Sequence, residues 1–139
     1  MESVSCVLRG LRRCCCQRLY GPLLDAGCGT AVFTAASYRS TGRPLVLVDR
    51  SLGMLRRAAQ RVSVDPSRVA LIQADVFDLP FQPGSFATVT CHGLLHLFDD
   101  PAQVLGVLRR LLKPDERALA GRLEGDFDVG RETFGPADL

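Results

Sequence analysis

The chain has 139 residues, which fits one domain, and 47% of them are hydrophobic, enough for a buried core. A formal net charge of +2 gives no general case for nucleic-acid binding, and no apolar run is long enough for a membrane helix. The six cysteines show neither a disulfide pattern nor a paired C-x-x-C motif, so no metal site is expected. A reducing, cytoplasmic compartment is the simplest interpretation.

Residues 1–21 form a basic segment with apolar residues at three- and four-residue steps, which predicts one apolar helix face. These apolar residues are Val4, Leu8, Leu11, Cys15 and Leu19. Three interpretations stay open: a helix that packs ahead of the first strand, a mitochondrial targeting or membrane-surface segment, or a consequence of where the sequence begins. Under the second interpretation, the cysteines of Cys14–Cys16 are acylation sites.

A glycine-containing turn follows the first predicted strand. Leu23 and Leu24 begin a buried strand that closes at Asp25, and Gly27 and Gly29 then give a turn where side chains would obstruct. A helix is predicted from Ala31 to about Tyr38 (residues 31–38). This strand–turn–helix order directs backbone N–H groups at a ligand.

The spacing of the turn narrows the ligand class. A dinucleotide fingerprint requires glycine or alanine three residues after Gly29, and that position is Val32. The motif is instead D-x-G-x-G-x-A, beginning at Asp25 and ending at Ala31. A nicotinamide-dependent oxidoreductase is therefore the least favoured of three functional hypotheses.

Two further strands also end at acidic residues. The run Leu45–Asp49 ends in an acid about two dozen residues after Asp25, near the offset of a ribose-binding carboxylate. Asp49 is alternatively the cap of the next helix, over residues 52–62, although Ser51 is the better cap. A third strand is predicted over residues 69–73, and Asp75 follows it as a ligand acceptor or a turn residue. Acids at three successive strand ends predict one ligand-binding rim.

A fourth strand is predicted over residues 87–91, and His92 and His96 follow it four residues apart. Imidazole titrates near neutral pH, so His92 is a candidate general base, and a surface or packing role is the alternative. A helix is then predicted with Asp100 as its cap, up to Lys113, followed by a weak fifth strand within residues 117–123 and an acidic tail, 124–139.

Leu24 to Thr30 closely resembles the first motif of the class I S-adenosylmethionine-dependent methyltransferases, which reads like L-D-x-G-C-G-T-G. Ala31 stands where that family usually has a third glycine. The resemblance implies an α/β fold: a Rossmann-like, doubly wound, mostly parallel sheet of about five strands with helices on both faces. The C-terminal strands of the family's usual seven are expected to be missing or degenerate, and the methyltransferase core to span residues 22–123.

The resemblance also implies which residues bind S-adenosyl-L-methionine. Asp25 would orient its amino acid end, Asp49 would hold the ribose, and Asp75 with the backbone of Val76 would hold the adenine. The full predicted cofactor-binding set is Asp25, Gly27, Cys28, Gly29, Asp49, Arg50, Met54, Asp75, Val76 and Cys91.

The favoured function is therefore methyl transfer by direct displacement to a small-molecule acceptor, of lipid or quinone-like type. The alternative is a truncated, catalytically silent cofactor-binding or interaction module. It is supported by Ala31, by Ala87 in place of a family acid, and by the loss of a Gly-Gly turn after Pro114. The fifth strand is expected to be a sheet edge, open or covered by a second copy or a partner chain.

Overall fold

The computed structural model describes residues 21–114 and the backbone of residues 118–121 and 131–134. The predicted N-terminal segment 1–21 lies outside the described residues except for Gly21, as does most of the predicted acidic tail.

One sheet organises the described chain. Its strands are β1 Leu23–Ala26, β2 Leu45–Asp49, β3 Val69–Gln73, β4 Thr88–His92, β5 Ala118–Gly121 and β6 Arg131–Phe134. They lie in the order β3-β2-β1-β4-β5-β6, with β1 to β5 parallel and β6 antiparallel to β5. The strand order reverses between β1 and β4, which leaves a crevice at the carboxyl ends of these strands. The predicted mostly parallel, doubly wound sheet is confirmed.

Helices cover both faces of the sheet. They are α1 Ala35–Ser40, α2 Leu52–Val62 and α3 Pro101–Leu111. One core cluster joins α1 and α2 to one face of β1 and β2, through residues such as Tyr38, Leu47 and Leu55. The second cluster joins α3 to the other face, through residues such as Val89 and Leu108. Alternate strand residues enter the two clusters, as the pleat requires.

Side-chain caps fix the starts of α2 and α3 where the sequence predicts them. The Met54 N–H donates to Ser51 Oγ at 3.3 Å, and the Ala102 N–H donates to Asp100 Oδ1 at 3.1 Å. Each cap satisfies a backbone donor that has no partner within its own helix.

The first helix departs from the prediction. It begins at Ala35 rather than Ala31, because Ala31 has a φ of +54°, which a right-handed helix does not accommodate. Residues 31–34 therefore extend the turn.

The C-terminal edge also departs from the prediction. The fifth strand is not the sheet edge, because Arg131–Phe134 pairs with it, Ala118 opposite Phe134. This strand falls within the predicted acidic tail, and the pairing partner, not local sequence, determines its conformation. The domain limits and a partner chain along the edge stay predictions.

Candidate cofactor-binding site

The turn after β1 has an unusual backbone. Three alternate residues have positive φ: Gly27 at +69°, Gly29 at +52° and Ala31 at +54°. The Cys28 N–H donates to the Val48 carbonyl at 2.9 Å, which ties the turn to the end of β2. A Cβ atom added to Gly29 would meet no atom within 4 Å. The backbone at Gly29 is therefore open to a ligand.

The other glycine of the turn is covered. A Cβ on Gly27 would lie 2.9 Å from both Cδ atoms of Leu94, a residue of the connection after β4. Glycine is required here both for its left-handed backbone and for the close approach of Leu94. The turn thus has a closed side at Gly27 and an open side at Gly29.

Asp49 links the end of β2 to the open side of the turn. Its Oδ2 accepts from the Gly29 N–H at 2.9 Å, and its Oδ1 accepts from the Ser51 N–H at 2.8 Å. A carboxylate has about four acceptor positions, so two remain for further donors. The half-buried Asp49 is held in place and still able to accept from a ligand hydroxyl.

Asp25 lies deeper than the sequence suggested. It pairs with Leu47, two residues before Asp49, which places it about 7 Å further from the carboxyl edge. Only 1% of it is exposed. Its Oδ2 accepts from the Tyr38 hydroxyl at 2.7 Å, and that hydroxyl lies 3.0 Å from Thr90 Oγ1. The other oxygen, Oδ1, is buried and has no hydrogen-bond partner.

Burial is the main cause of the shifted pKa values in this cluster. It raises the pKa of Asp25 from 3.8 to about 6, although the hydrogen bonds from Tyr38, Thr90 and Thr34 act in the opposite direction. Burial also raises the pKa of the Tyr38 phenol, so this hydroxyl keeps its proton and donates it. Sequence reasoning missed all three hydroxyl residues. The available signal was the spacing of Thr34 and Tyr38, four residues apart directly behind the turn.

Asp75 follows β3 and has partners of its own. Its Oδ1 accepts from the Phe77 N–H at 2.9 Å, and its Oδ2 lies 3.5 Å from Arg50 Nε. The Arg50 and Asp75 side chains are 81% and 43% exposed, so their ion pair is weak and separates readily. Val76 buries its side chain in the core, while Met54 is exposed beside the end of β2. The structure therefore brings the adenine-side candidates to the same edge as Asp49.

The two cysteines of the predicted set point inward. Cys91 packs in the core, and the Cys28 thiol donates to the Gly29 carbonyl at 3.4 Å. Burial raises the pKa of both thiols, that of Cys91 to about 12. Both remain protonated at neutral pH, so any ligand contact from either residue comes from its backbone.

The two histidines do not share a helix face. His92 is the last residue of β4, half-buried on the same side of the sheet as Thr90. His96 is exposed in a short 3₁₀ turn, Leu95–Leu97. In residues 21–114 and the two described C-terminal strands, no group of three His, Cys, Asp or Glu side chains is placed to hold a metal.

Exposed apolar side chains gather around the same edge. Within the described chain, the large apolar residues with the most exposure are Val32, Phe33, Leu52, Met54, Leu71, Phe77 and Leu97. All except Leu71 lie after the carboxyl end of one of the first four strands, or in the first turn of α2. The candidate site is therefore bordered by hydrocarbon as well as by carboxylates.

The sequence model of a family described as a methyltransferase domain matches residues 23–115. The chain belongs to this methyltransferase family. The resemblance seen at Leu24 to Thr30 is thereby confirmed, and S-adenosylmethionine is the cofactor that the family and the fold imply.

Named relatives agree with this assignment. Demethylmenaquinone methyltransferase of Clavibacter sepedonicus is 38% identical over 95 residues, covering 68% of this chain and 38% of that protein. The 2-phytyl-1,4-naphtoquinone methyltransferase of Trichormus variabilis is 36% identical over 101 residues, covering 68% of this chain and 43% of that protein. The chain thus spans less than half the length of these relatives.

A solved structure supports the fold. The crystal structure of an S-adenosylmethionine-dependent methyltransferase from Aquifex aeolicus matches with a TM-score of 0.63 at 16% identity. The match covers 77% of this chain and 60% of that one.

The residues present fit the cofactor. The open backbone at Gly29 leaves room for a ligand, and Asp49 has acceptor positions left for ribose hydroxyls. The unpaired Oδ1 of Asp25 is a buried acceptor that needs a donor, such as a water bound to an ammonium group.

Proposed function

We propose that this edge of the sheet binds S-adenosylmethionine and that the protein transfers its methyl group to a small-molecule acceptor. One observation carries the proposal: the open Gly29 of a left-handed turn donates to the strand-end carboxylate of Asp49. This bond joins close backbone access and a ribose acceptor in one rigid unit.

Five of the predicted residues contact or orient the cofactor in this proposal. Asp49 accepts from the ribose hydroxyls, while Gly29 allows close approach of the backbone. Asp75 accepts from the adenine amino group once Arg50 swings away, and Met54 covers one face of the ring. Asp25 acts from below the turn, through a donor that reaches its unpaired Oδ1.

When bound, S-adenosylmethionine supplies an electrophilic methyl group on a positively charged sulfur that leaves as a neutral thioether. Little covalent chemistry remains for the protein, so its residues mainly position the acceptor in line and exclude water. The acceptor loses a proton as its new bond to carbon forms. His92, at the mouth between β1 and β4, is the candidate base for that proton.

The acceptor class follows from two supports. Relatives are named for methyl transfer to demethylmenaquinone and to a phytyl naphthoquinone, and the phytyl group is a hydrocarbon chain. In this chain, Val32, Phe33 and Leu97, which follow the carboxyl ends of β1 and β4, expose more than half of their surface. Both observations favour a largely apolar acceptor.

The cellular setting is part of the proposal. Two free, buried thiols, Cys28 and Cys91, are consistent with the reducing cytoplasm. In the part of the chain that the structure describes, no helix has the length and apolar character to cross a membrane.

Calorimetric titration with S-adenosylhomocysteine and with NAD tests the first half of the proposal. We expect saturable binding of S-adenosylhomocysteine and none of NAD. Binding of NAD alone would restore the oxidoreductase hypothesis, and binding of neither would remove the site.

A panel of hydroxylated aromatic acceptors, with and without hydrocarbon chains, tests turnover with labelled S-adenosylmethionine. The alternative, a silent binding or interaction module, is favoured by Leu94, which covers Gly27. Cofactor binding with no methyl transfer over the whole panel would support that alternative.

A further inference from the structure

One arginine outside the predicted site, Arg61, makes hydrogen bonds to the turn after β1. Arg61, in the last turn of α2, donates from Nη1 to both the carbonyl and the hydroxyl of Thr30, at 3.1 Å and 2.8 Å. Its own carbonyl accepts from Arg39 Nη1 of α1 at 2.6 Å. Arg61 thus links the turn to both helices on this face of the sheet.

The residue that Arg61 contacts, Thr30, lies between two residues with left-handed backbone conformations. Thr30 follows Gly29 and precedes Ala31, whose φ values are +52° and +54°. Glycine adopts this conformation without a steric penalty, but alanine does not. The methyl group of Ala31 is buried, and its carbonyl accepts from the Ala35 N–H at 2.9 Å, so α1 depends on the strained geometry.

Alanine at position 31 has a steric penalty that glycine would not have. The turn therefore needs a further contact to keep its left-handed conformation. The Ala31 N–H donates to the Cys28 carbonyl, and the Gly29 N–H donates to Asp49, but neither bond involves Thr30. Arg61 supplies side-chain hydrogen bonds to Thr30 itself, one to its carbonyl and one to its hydroxyl.

We infer that Arg61 is a positioning residue for the cofactor site: it keeps the turn in the left-handed form that opens Gly29 to the ligand. The inference rests on the proposed function, because it concerns the same site. Arg61 touches neither ligand nor reacting atoms, and it acts through Thr30.

The test compares Arg61→Met with Arg57→Met in the full chain. Arg57 lies one helical turn before Arg61, is likewise exposed, and makes no hydrogen bond to the glycine turn. We expect Arg61→Met to weaken S-adenosylhomocysteine binding about fivefold, as for loss of a charged hydrogen-bond donor, and Arg57→Met to leave it within about twofold. Arg61→Lys should recover part of the lost binding, because the lysine ammonium can donate to one of the two Thr30 oxygen atoms.

Testing Arg61→Met with either alanine or glycine at position 31 distinguishes a positioning role from a general effect on stability. In an Ala31→Gly protein, Arg61→Met should weaken binding no more than about twofold, because glycine adopts the left-handed form without the steric penalty that alanine has. An equal loss with alanine and with glycine, or no loss with alanine, would overturn the inference.

Amide hydrogen exchange gives a readout that does not depend on the ligand. In Arg61→Met, the Gly29 and Ala31 amides should exchange faster, while core amides of α2, such as that of Leu55, should not change. If the wild-type chain fails to bind S-adenosylhomocysteine, the proposed function fails, and the exchange rates still decide the role of Arg61. Unchanged exchange at Gly29 and Ala31 would refute it.

Discussion

Asp25 and Asp49 stand at adjacent parallel strands and have opposite surroundings. Asp49 is half-buried, holds two backbone N–H groups and faces the ligand edge. Asp25 is fully enclosed, is held by the Tyr38 hydroxyl and keeps one oxygen unpaired. A two-residue difference in strand register produces this contrast. Depth in the sheet, not residue type, decides which acid stays accessible at the edge and which is enclosed.

The contrast is tested most strongly by the pH dependence of stability. The pKa of Asp25 is about 6 in the folded protein against an ordinary 3.8, so between these values the folded state binds more protons than the unfolded state. Its contribution to the free energy of unfolding therefore falls as pH rises from about 4 to about 6, by at most about 3 kcal/mol. Asp25→Asn should lack this decrease.

Urea denaturation of both proteins between pH 4 and pH 7 measures the effect. The difference between the wild-type and Asp25→Asn curves isolates the Asp25 contribution. Parallel curves would show that Asp25 titrates normally and that its enclosure has no electrostatic consequence.

The second prediction concerns the exposed acid. Asp49→Ala should weaken S-adenosylhomocysteine binding by about 1–3 kcal/mol, because a charged acceptor for the ribose and the anchor of Gly29 are both lost. Asp78→Ala is the matched control, since this exposed acid lies on the same edge and accepts no hydrogen bond from the turn. Calorimetry that finds equal affinities for the two variants would remove Asp49 from ribose recognition.

The third prediction concerns how much the hydrogen bonds to Asp25 contribute to stability. Tyr38→Phe should lower the free energy of unfolding by about 1–2 kcal/mol at pH 7.5 and by less at pH 5, because a bond to a charged carboxylate is the stronger one. It should also raise the pKa of Asp25 further, since the Tyr38 bond lowers it. Thr34→Val should have a smaller effect, since its bond to Asp25 is 3.5 Å long.

Denaturation at the two pH values distinguishes these outcomes. A loss for Tyr38→Phe that is the same at pH 5 and pH 7.5 would mean that Asp25 does not change charge in this range.

The smallest expected effect is at Ala31. Replacing it with glycine relieves about 1–2 kcal/mol of left-handed strain, but removes a buried methyl worth about 0.8 kcal/mol and adds freedom to the unfolded chain worth about 0.4–1 kcal/mol. The net change in unfolding free energy should stay within about 1 kcal/mol of zero. A larger loss in thermal denaturation would show that the methyl group outweighs the backbone strain.

Much of this fold follows from local sequence. The bounds of β2, α2 and β3 match their predictions because two apolar runs and one amphipathic helix each follow a strong start signal: Pro44 before β2, Ser51 before α2 and Pro66 before β3. The family motif was recognisable for the same reason, since turn and strand residues act locally.

What local sequence did not predict depends on distant contacts. The depth of Asp25 is fixed by its register with Leu47. The start of α1 is the exception, because it is set locally by the left-handed backbone of Ala31. β6 exists through its pairing with β5. The hydrogen bonds between Arg61 and Thr30 join residues 31 positions apart in the sequence, and no sequence motif predicts them.

The reversal of the sixth strand has a practical consequence. Because it runs against the fifth, Phe134 ends level with Ala118, at the side of the sheet where Leu23 begins the first strand. The first described strand therefore begins, and the last one ends, at the side of the sheet opposite the crevice, roughly 13 Å from it for a four-residue strand. A surface-coupled sensor attached at the end of the sixth strand should leave the crevice facing the solution, ready for titration.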